Sequence, residues 1–221
     1  MKNRDSIIAI PIIIIGILLF VACSSSKSTV DNFETETGSF TDPRDGKTYK
    51  TVKIADQWIM AENLAYKPDS GNFWAYDNND SNMLIYGYLY DWETAMNIAP
   101  EGWHLPSMEE WTTIEKLLGA KRGTISYMEE IHPKLLIGGD SGLDILFGGI
   151  RTRDGEFKSM NEIARFWNSY DKRRKKNSYG LRSKQLIRKY ADKGTRVHSI
   201  FQSSYERSSS GYSVRLFKDK E

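Results

Sequence analysis

The sequence predicts one α+β domain, with short antiparallel strands toward both ends of the chain and two or three helices between them. Three observations predict it. Residues Lys47 to Ile54 alternate polar with apolar or β-branched side chains, the period-two pattern of a strand with one buried face. Residues Ser107 to Gly119 carry a capping box, an apolar stripe and a glycine stop, the marks of a helix. Residues Tyr212 to Phe217 then return to strand-forming types near the end of the chain.

The elements follow in order. Asp45-Gly46 makes a turn ahead of the first strand, and Ala55-Asp56 separates that strand from Gln57–Ala61, so the pair reads as a β-hairpin. Asp91 caps a helix whose Trp92, Ala95, Met96 and Ala99 share one face, and Pro100 stops it. Ser107 and Glu110 form the capping box of the next helix. Its stripe is Met108, Trp111, Ile114, Leu117 and Leu118, and Gly119 supplies the left-handed end. A second capping box, Ser126 to Glu129, opens a shorter helix that Pro133 disturbs. Beyond it Leu143 to Ile150 is apolar, Asp154-Gly155 is a hairpin turn, and Arg165–Trp167 and Tyr212–Phe217 read as strands.

Composition narrows the function. The 221 residues hold 31 Lys+Arg against 29 Asp+Glu, with 39% apolar and 12% aromatic residues, a globular rather than a disordered profile. A net charge of +2 argues against a bulk-basic nucleic-acid binder, and no nucleic-acid partner is expected. One cysteine excludes a disulfide framework and any cysteine-clustered zinc site, and His104, His132 and His198 lie too far apart for a close-spaced histidine motif. No cofactor and no metal are expected.

The first 22 residues stand apart. Lys2 and Arg4 precede an uncharged run of 16 residues from Ile7 to Ala22. At about 1.5 Å per residue a helix of that length covers roughly 24 Å of a hydrocarbon core ~30 Å thick, too little to span it. A basic start before a short apolar run is the pattern of a signal peptide. Leu19-Phe20-Val21-Ala22-Cys23 resembles the lipobox of bacterial lipoproteins, with Phe20 departing from the usual Leu. The resemblance implies that Cys23 is acylated and that the mature chain is anchored to membrane through it, since two or more acyl chains hold stably. Ser24 is not the Asp that signals inner-membrane retention in many bacteria, which favours the outer membrane, and Ser24-Ser25-Ser26-Lys27 lacks the acidic residues common in surface-export signals, which favours a periplasm-facing domain. Residues 23–38 read as a lipidated flexible tether, and residues 39–221 as the domain.

Phe40 to Tyr49 with Trp58–Leu64, Tyr86–Trp92, Gly102–Ser107 with Glu110-Trp111, Gly148–Arg151, Phe166–Ser169 and the closing Gly211–Leu216 occur in a fixed order. Together they resemble the Fibrobacter succinogenes major paralogous domain family over roughly residues 40 to 217. The resemblance implies a C-type-lectin-like fold in a bacterial envelope lipoprotein and carries no defined activity. Trp167-Asn168-Ser169-Tyr170 stands where the family commonly reads Trp-Ser-Ser-Thr, and an extra basic stretch follows it.

Candidate chemistry is sparse. Gly102–Ser107 with Glu110-Trp111 also resembles a motif of the formylglycine-generating sulfatase-modifying enzymes, whose resemblance implies copper held by paired cysteines. The sole cysteine here is Cys23, so no catalytic residue is expected, and His104 reads as a packing residue near a helix start. Asp77–Asn82 fails the calcium-loop spacing, with Asn82 at the glycine position and Tyr88 at the glutamate position, and reads as an Asx-rich turn. Residues 172–196 hold 11 Lys+Arg against one acid, while residues 39–170 hold 13 Lys+Arg against 20 Asp+Glu. Lys172, Arg173, Arg174, Lys175 and Lys176 are therefore candidates for an acidic ligand, against the alternative of a solvated loop and helix face with Ile187, Tyr190 and Ala191 inward. Most of Trp58, Trp74, Tyr86, Tyr88, Trp92, Trp103, Trp111 and Trp167 read as core. Trp74 and Tyr76, in a polar turn-rich stretch, are the candidates for stacking on a ligand. The expectation is a non-catalytic binding or adhesion module for a glycan or an envelope protein. A structural envelope component and a sulfatase-modifier relative are the alternatives.

Overall fold

The computed structural model describes residues 35–120, 133–169 and 209–220, and through the backbone also 183–191 and 194–200. Cys23, Lys172, Arg173, Arg174, Lys175, Lys176 and the second capping box at 126–129 lie outside the described residues.

The expected hairpin is present: β2 (Thr48–Ile54) and β3 (Gln57–Met60) pair antiparallel, with Lys53 opposite Trp58 and Ile54 opposite Gln57. Ala55 takes a positive φ of 51° in the two-residue turn, as such turns require. Ahead of β2 lies β1 (Glu36–Thr41), which pairs with it from Glu36 opposite Lys53 to Thr41 opposite Thr48. Glu36 reaches Lys53 at 3.0 Å across the pair, and that ion pair lies at the start of the strand.

The first and last described strands belong to one sheet. β12 (Phe217–Lys218) lies between β3 and β6 (Trp103–His104), giving the order β1-β2-β3-β12-β6 with every pair antiparallel. The alternation in β2 predicts one buried face, but both faces are covered. Val52, Ile54, Ile59 and Phe217 enter one core with Trp111, Ile114, Phe147 and Phe166. Tyr49 and Met60 enter a second with Leu64, Tyr90, Trp103, Trp167, Val214 and Leu216. Loop segments close the second face, which local periodicity does not reveal.

Between β3 and β6 come β4 (Phe73–Trp74) paired with β5 (Leu89–Tyr90), a 3-10 turn at Tyr76–Asn78, and helices α1 (Asp80–Tyr86) and α2 (Trp92–Asn97). Asp91 caps α2 as expected, accepting from the Thr94 N–H at 2.8 Å. α3 (Met108–Leu117) carries the full capping box: Ser107 Oγ accepts from the Glu110 N–H at 3.2 Å, and Glu110 accepts from the Ser107 N–H at 2.7 Å. Its stripe differs by one residue. Leu117 is exposed and Glu115 takes the buried position four residues after Trp111, because at about 3.6 residues per turn the face through 111, 114 and 118 includes 115 and not 117.

β7 (Ile150–Arg151) and β8 (Phe157–Lys158) form the hairpin expected around Asp154-Gly155. β9 (Ile163–Trp167), β10 (Ser183–Ala191) and β11 (Gly194–Ile200) make a second antiparallel sheet, so the described part of the basic segment is strand, not the helix face expected as one alternative. The expected strand at 212–217 is mostly an extended segment that bridges other strands singly before it enters the large sheet as β12.

His104 joins the start of α3 to the chain end. Its Nε2 lies 2.9 Å from Glu110 and its Nδ1 lies 2.6 Å from Asp219. The Glu110 hydrogen bond raises the imidazole above its ordinary range, outweighing the opposing effect of burial, and Asp219 adds to the rise. Burial would push the Glu110 carboxyl up, but His104 and Ser107 bring it down to about 2. The contribution of Glu110 is therefore complete above its ordinary value near 4.5 and fades as pH falls toward about 2. That of His104 is complete below its ordinary value of 6.5 and fades as pH rises through its raised folded value. Urea midpoints measured against pH should form a plateau between those two ordinary values, and Glu110→Gln should flatten both flanks. Unchanged flanks in that variant would contradict this account.

Candidate functional site

Arg215 is the most fully buried cation of the described chain, at 1% exposure. Its Nε donates to Asn63 Oδ1 at 2.9 Å, Nη1 donates to the Leu143 carbonyl, and Nη2 donates to the Asp144 carbonyl at 3.2 Å. Burial lowers the guanidinium to about 9, opposed by Asp144 and Glu62. Asn63 turns its amide the other way, donating to the Tyr86 carbonyl at 2.8 Å. One guanidinium and one amide thus join three segments: Glu62–Leu64, the end of α1, and Leu143–Asp144.

Those three segments wall a cleft of about 230 Å³, with Lys47, Tyr49 and Lys50 of the hairpin region along the remaining side. α1 supplies Met83, Leu84 and Ile85, and the 137–146 segment supplies Ile137, Asp144 and Leu146. Leu84 is 73% exposed, Ile85 60% and Ile137 68%. They are three of the four large apolar side chains that stand exposed among the described residues, and all three converge on this one cleft.

Local sequence sets these positions. Asn79 caps α1 by accepting from the Ser81 N–H at 2.9 Å, and Gly87 ends it with φ 72°. A Cβ at Gly87 would lie 2.5 Å from the Leu64 carbonyl oxygen, so glycine lets the helix end approach the floor segment. No residue of this seven-residue helix is buried, which leaves Leu84 and Ile85 facing outward. Asp144 holds an uncommon positive φ of 45°. Its carboxylate accepts from the Gly138 N–H at 3.0 Å while its carbonyl faces Arg215, so both ends of the residue are fixed.

The two aromatic candidates lie elsewhere. Trp74 is half-buried, with the Arg151 guanidinium 4.0 Å from its ring centroid and Gly211 packed against the indole. Tyr76 is buried, its ring centroid 5.3 Å from that of Phe157, so the polar turn does not present it to solvent. Neither lines the cleft. Asp77–Asn82 holds a turn as expected, with Asp77 and Asn78 at positive φ, but from Asp80 it continues into α1. Sequence reasoning missed Leu84, Ile85, Ile137 and Arg215. The available signals were the unbroken apolar runs Met83–Tyr86 and Leu135–Ile137, since four or three neighbours in a row cannot all face one core.

The Fibrobacter succinogenes major domain matches residues 52–218. The chain belongs to this family. No curated protein and no solved structure matches it. The family's stretch takes in Asn63, α1, the 137–146 segment and Arg215, whereas β1 and the Lys47–Lys50 side of the cleft precede it. The Fibrobacter succinogenes major domain of this chain thus contains the buried hub and the apolar rim, and the residues before it add the lysines.

Arg215→Lys tests the hub. A single ammonium cannot reproduce the guanidinium fork, and each lost bond to a buried charge is worth ~1.5–3 kcal/mol. The variant should lose about 3 kcal/mol of unfolding free energy, and amide exchange should quicken across residues 138–146. Wild-type exchange there would show that the cleft wall does not depend on Arg215.

Proposed function

We propose that this chain is a lipid-anchored protein of the bacterial cell envelope, attached through Cys23 to the outer membrane. Its domain, of C-type-lectin-like architecture, binds an envelope protein without catalysis. The observation that carries the reading is the convergence of Leu84, Ile85 and Ile137 on one cleft whose walls are tied together by Arg215. Fully burying such a side chain is worth about 1.5–3 kcal/mol, so an apolar anchor from a partner gains several kcal/mol there. A protein partner suits this rim better than a sugar. Its exposed side chains are aliphatic, and the Tyr49 ring beneath is buried, so no aromatic face is offered for stacking. The lining pairs Lys47 and Lys50 with Glu62 and Asp144, so its formal charge is balanced and the aliphatic rim carries the recognition. Both His104 nitrogens are engaged by carboxylates within 2.9 Å, which supports a structural rather than a catalytic imidazole.

Two measurements test the reading. Photo-crosslinking from position 84 in intact cells should capture a defined envelope protein. The double variant Leu84→Asp/Ile137→Asp should weaken binding of that purified protein by ~100-fold or more, matching about 3 kcal/mol. Its melting temperature should stay near wild type, because both side chains are exposed. Unchanged affinity in the double variant overturns the cleft as the binding surface. Separately, Cys23→Ala should move the protein from the detergent phase to the aqueous phase, and retention in the detergent phase overturns the lipid anchor.

A further inference from the structure

A second surface crosses β1, β2, β3 and β12 of the five-stranded sheet, built from residues other than those of the cleft. Trp58 is exposed in part on β3, where its neighbours Gln57, Ile59 and Met60 are all buried. Its indole lies against Gly38 of β1: a Cβ there would meet two ring carbons at 3.0 and 3.1 Å. Glycine at that position is what lets the ring lie down on the sheet. Lys53 stands opposite Trp58 in register, with its Nζ 5.7 Å from the indole centroid. On the other side, β12 pairs Phe217 with Ile59, which brings Lys218 beside Trp58. A shallow cleft of about 370 Å³ joins Lys53, Asp56, Trp58, Lys218, Asp219 and Lys220.

The charges there do not cancel. Asp219 is engaged by His104 at 2.6 Å and Lys53 by Glu36 at 3.0 Å, while exposed Lys218 and Lys220 add two cations against Asp56. An aromatic plate between ammonium groups suits a flat ligand with an apolar ring face and an anionic substituent. A pyranose bearing a carboxylate, sulfate or phosphate has both: its C–H face stacks on the indole and its anion takes hydrogen bonds from the lysines. A neutral sugar would use only the plate, and an anionic lipid surface would use only the lysines.

The geometry points to Trp58, Lys218 and Lys220 as a binding site for acidic saccharides, with the Glu36-paired Lys53 flanking the ring. The site is independent of the protein-binding cleft, and either reading can fail alone. The test uses the full chain in detergent and titration calorimetry with polygalacturonate, its methyl ester, heparin and glycerol phosphate, the soluble headgroup of an anionic phospholipid. Polygalacturonate or heparin should bind, and the methyl ester should bind at least tenfold more weakly than polygalacturonate. Trp58→Ala should weaken acidic-saccharide binding at least tenfold, and Lys218→Gln/Lys220→Gln should do the same while lowering its salt dependence. Gly38→Val, which lifts the ring without changing charge, should reproduce the Trp58→Ala loss. The melting temperature of each variant reports folding, and the exposed lysine pair keeps the test open where a sheet variant fails to fold. Absence of binding to both acidic polymers, equal binding of the methyl ester, or wild-type affinity in a folded Trp58→Ala overturns the proposal. So does tighter binding of glycerol phosphate than of the acidic polymers that survives that change.

Discussion

The segment from Gly211 to Phe217 is the constraint on which the structure depends. Gly211 exchanges two backbone hydrogen bonds with Arg151, at 2.8 and 2.9 Å, and Tyr212 does the same with Tyr90, at 2.9 and 3.0 Å. Ser213 bonds both Arg165 and Trp167, the Val214 carbonyl accepts from Leu64, and the Leu216 carbonyl accepts from Met60. Phe217 then pairs with Ile59 and His104. Seven consecutive residues thus satisfy backbone groups from five parts of the chain, which explains why the short strands β5, β7 and β9 persist without long ladders. It also places the decisive pairings at the greatest sequence separation, so loop-closure entropy must be met before most of the sheet exists.

Arg215 sits inside this segment, and its cost and its use are one problem. A guanidinium removed from water is expensive unless its donors are met. Here they are met by carbonyls and an amide rather than by a direct carboxylate, at Leu143, Asp144 and Asn63. A hydrophobic residue of similar volume would fill the space but would leave those acceptors without their partner. The charge therefore selects one arrangement of the 143–144 segment over other packings of the same apolar residues, including the left-handed Asp144.

Local grammar was readable and long-range juxtaposition was not. Ser107–Glu110, Asp91 with Thr94, and the Ala55-Asp56 turn involve residues at most three apart, and each formed as the sequence predicts. The basic stretch after residue 182 reads as a solvated loop and helix face with Ile187, Tyr190 and Ala191 inward, or as a patch for an acidic ligand, and pairing with β9 makes its described part strand. The site was the least legible. Arg215 meets Leu143 across 72 positions and Asn63 across 152, and nothing in the neighbourhood of either residue announces the other. Trp58 and Tyr76 show the same limit in opposite directions. Tyr76 sits among polar residues yet packs on Phe157, while Trp58 sits in a buried strand yet is spared by a glycine from another strand.

Both proposed surfaces share one economy: their shape is set by buried contacts rather than by the ligand. The cleft walls are held by Arg215 and Asn63, and the indole plate by Gly38, so little ordering entropy remains to be lost on binding. They differ in what drives association. Apolar burial at Leu84, Ile85 and Ile137 is insensitive to moderate salt, whereas attraction to Lys218 and Lys220 is screened over a Debye length of about 8 Å at physiological ionic strength. Ionic strength therefore separates the two surfaces on a single intact protein, because raising it weakens the lysine-flanked plate and leaves the aliphatic rim in force.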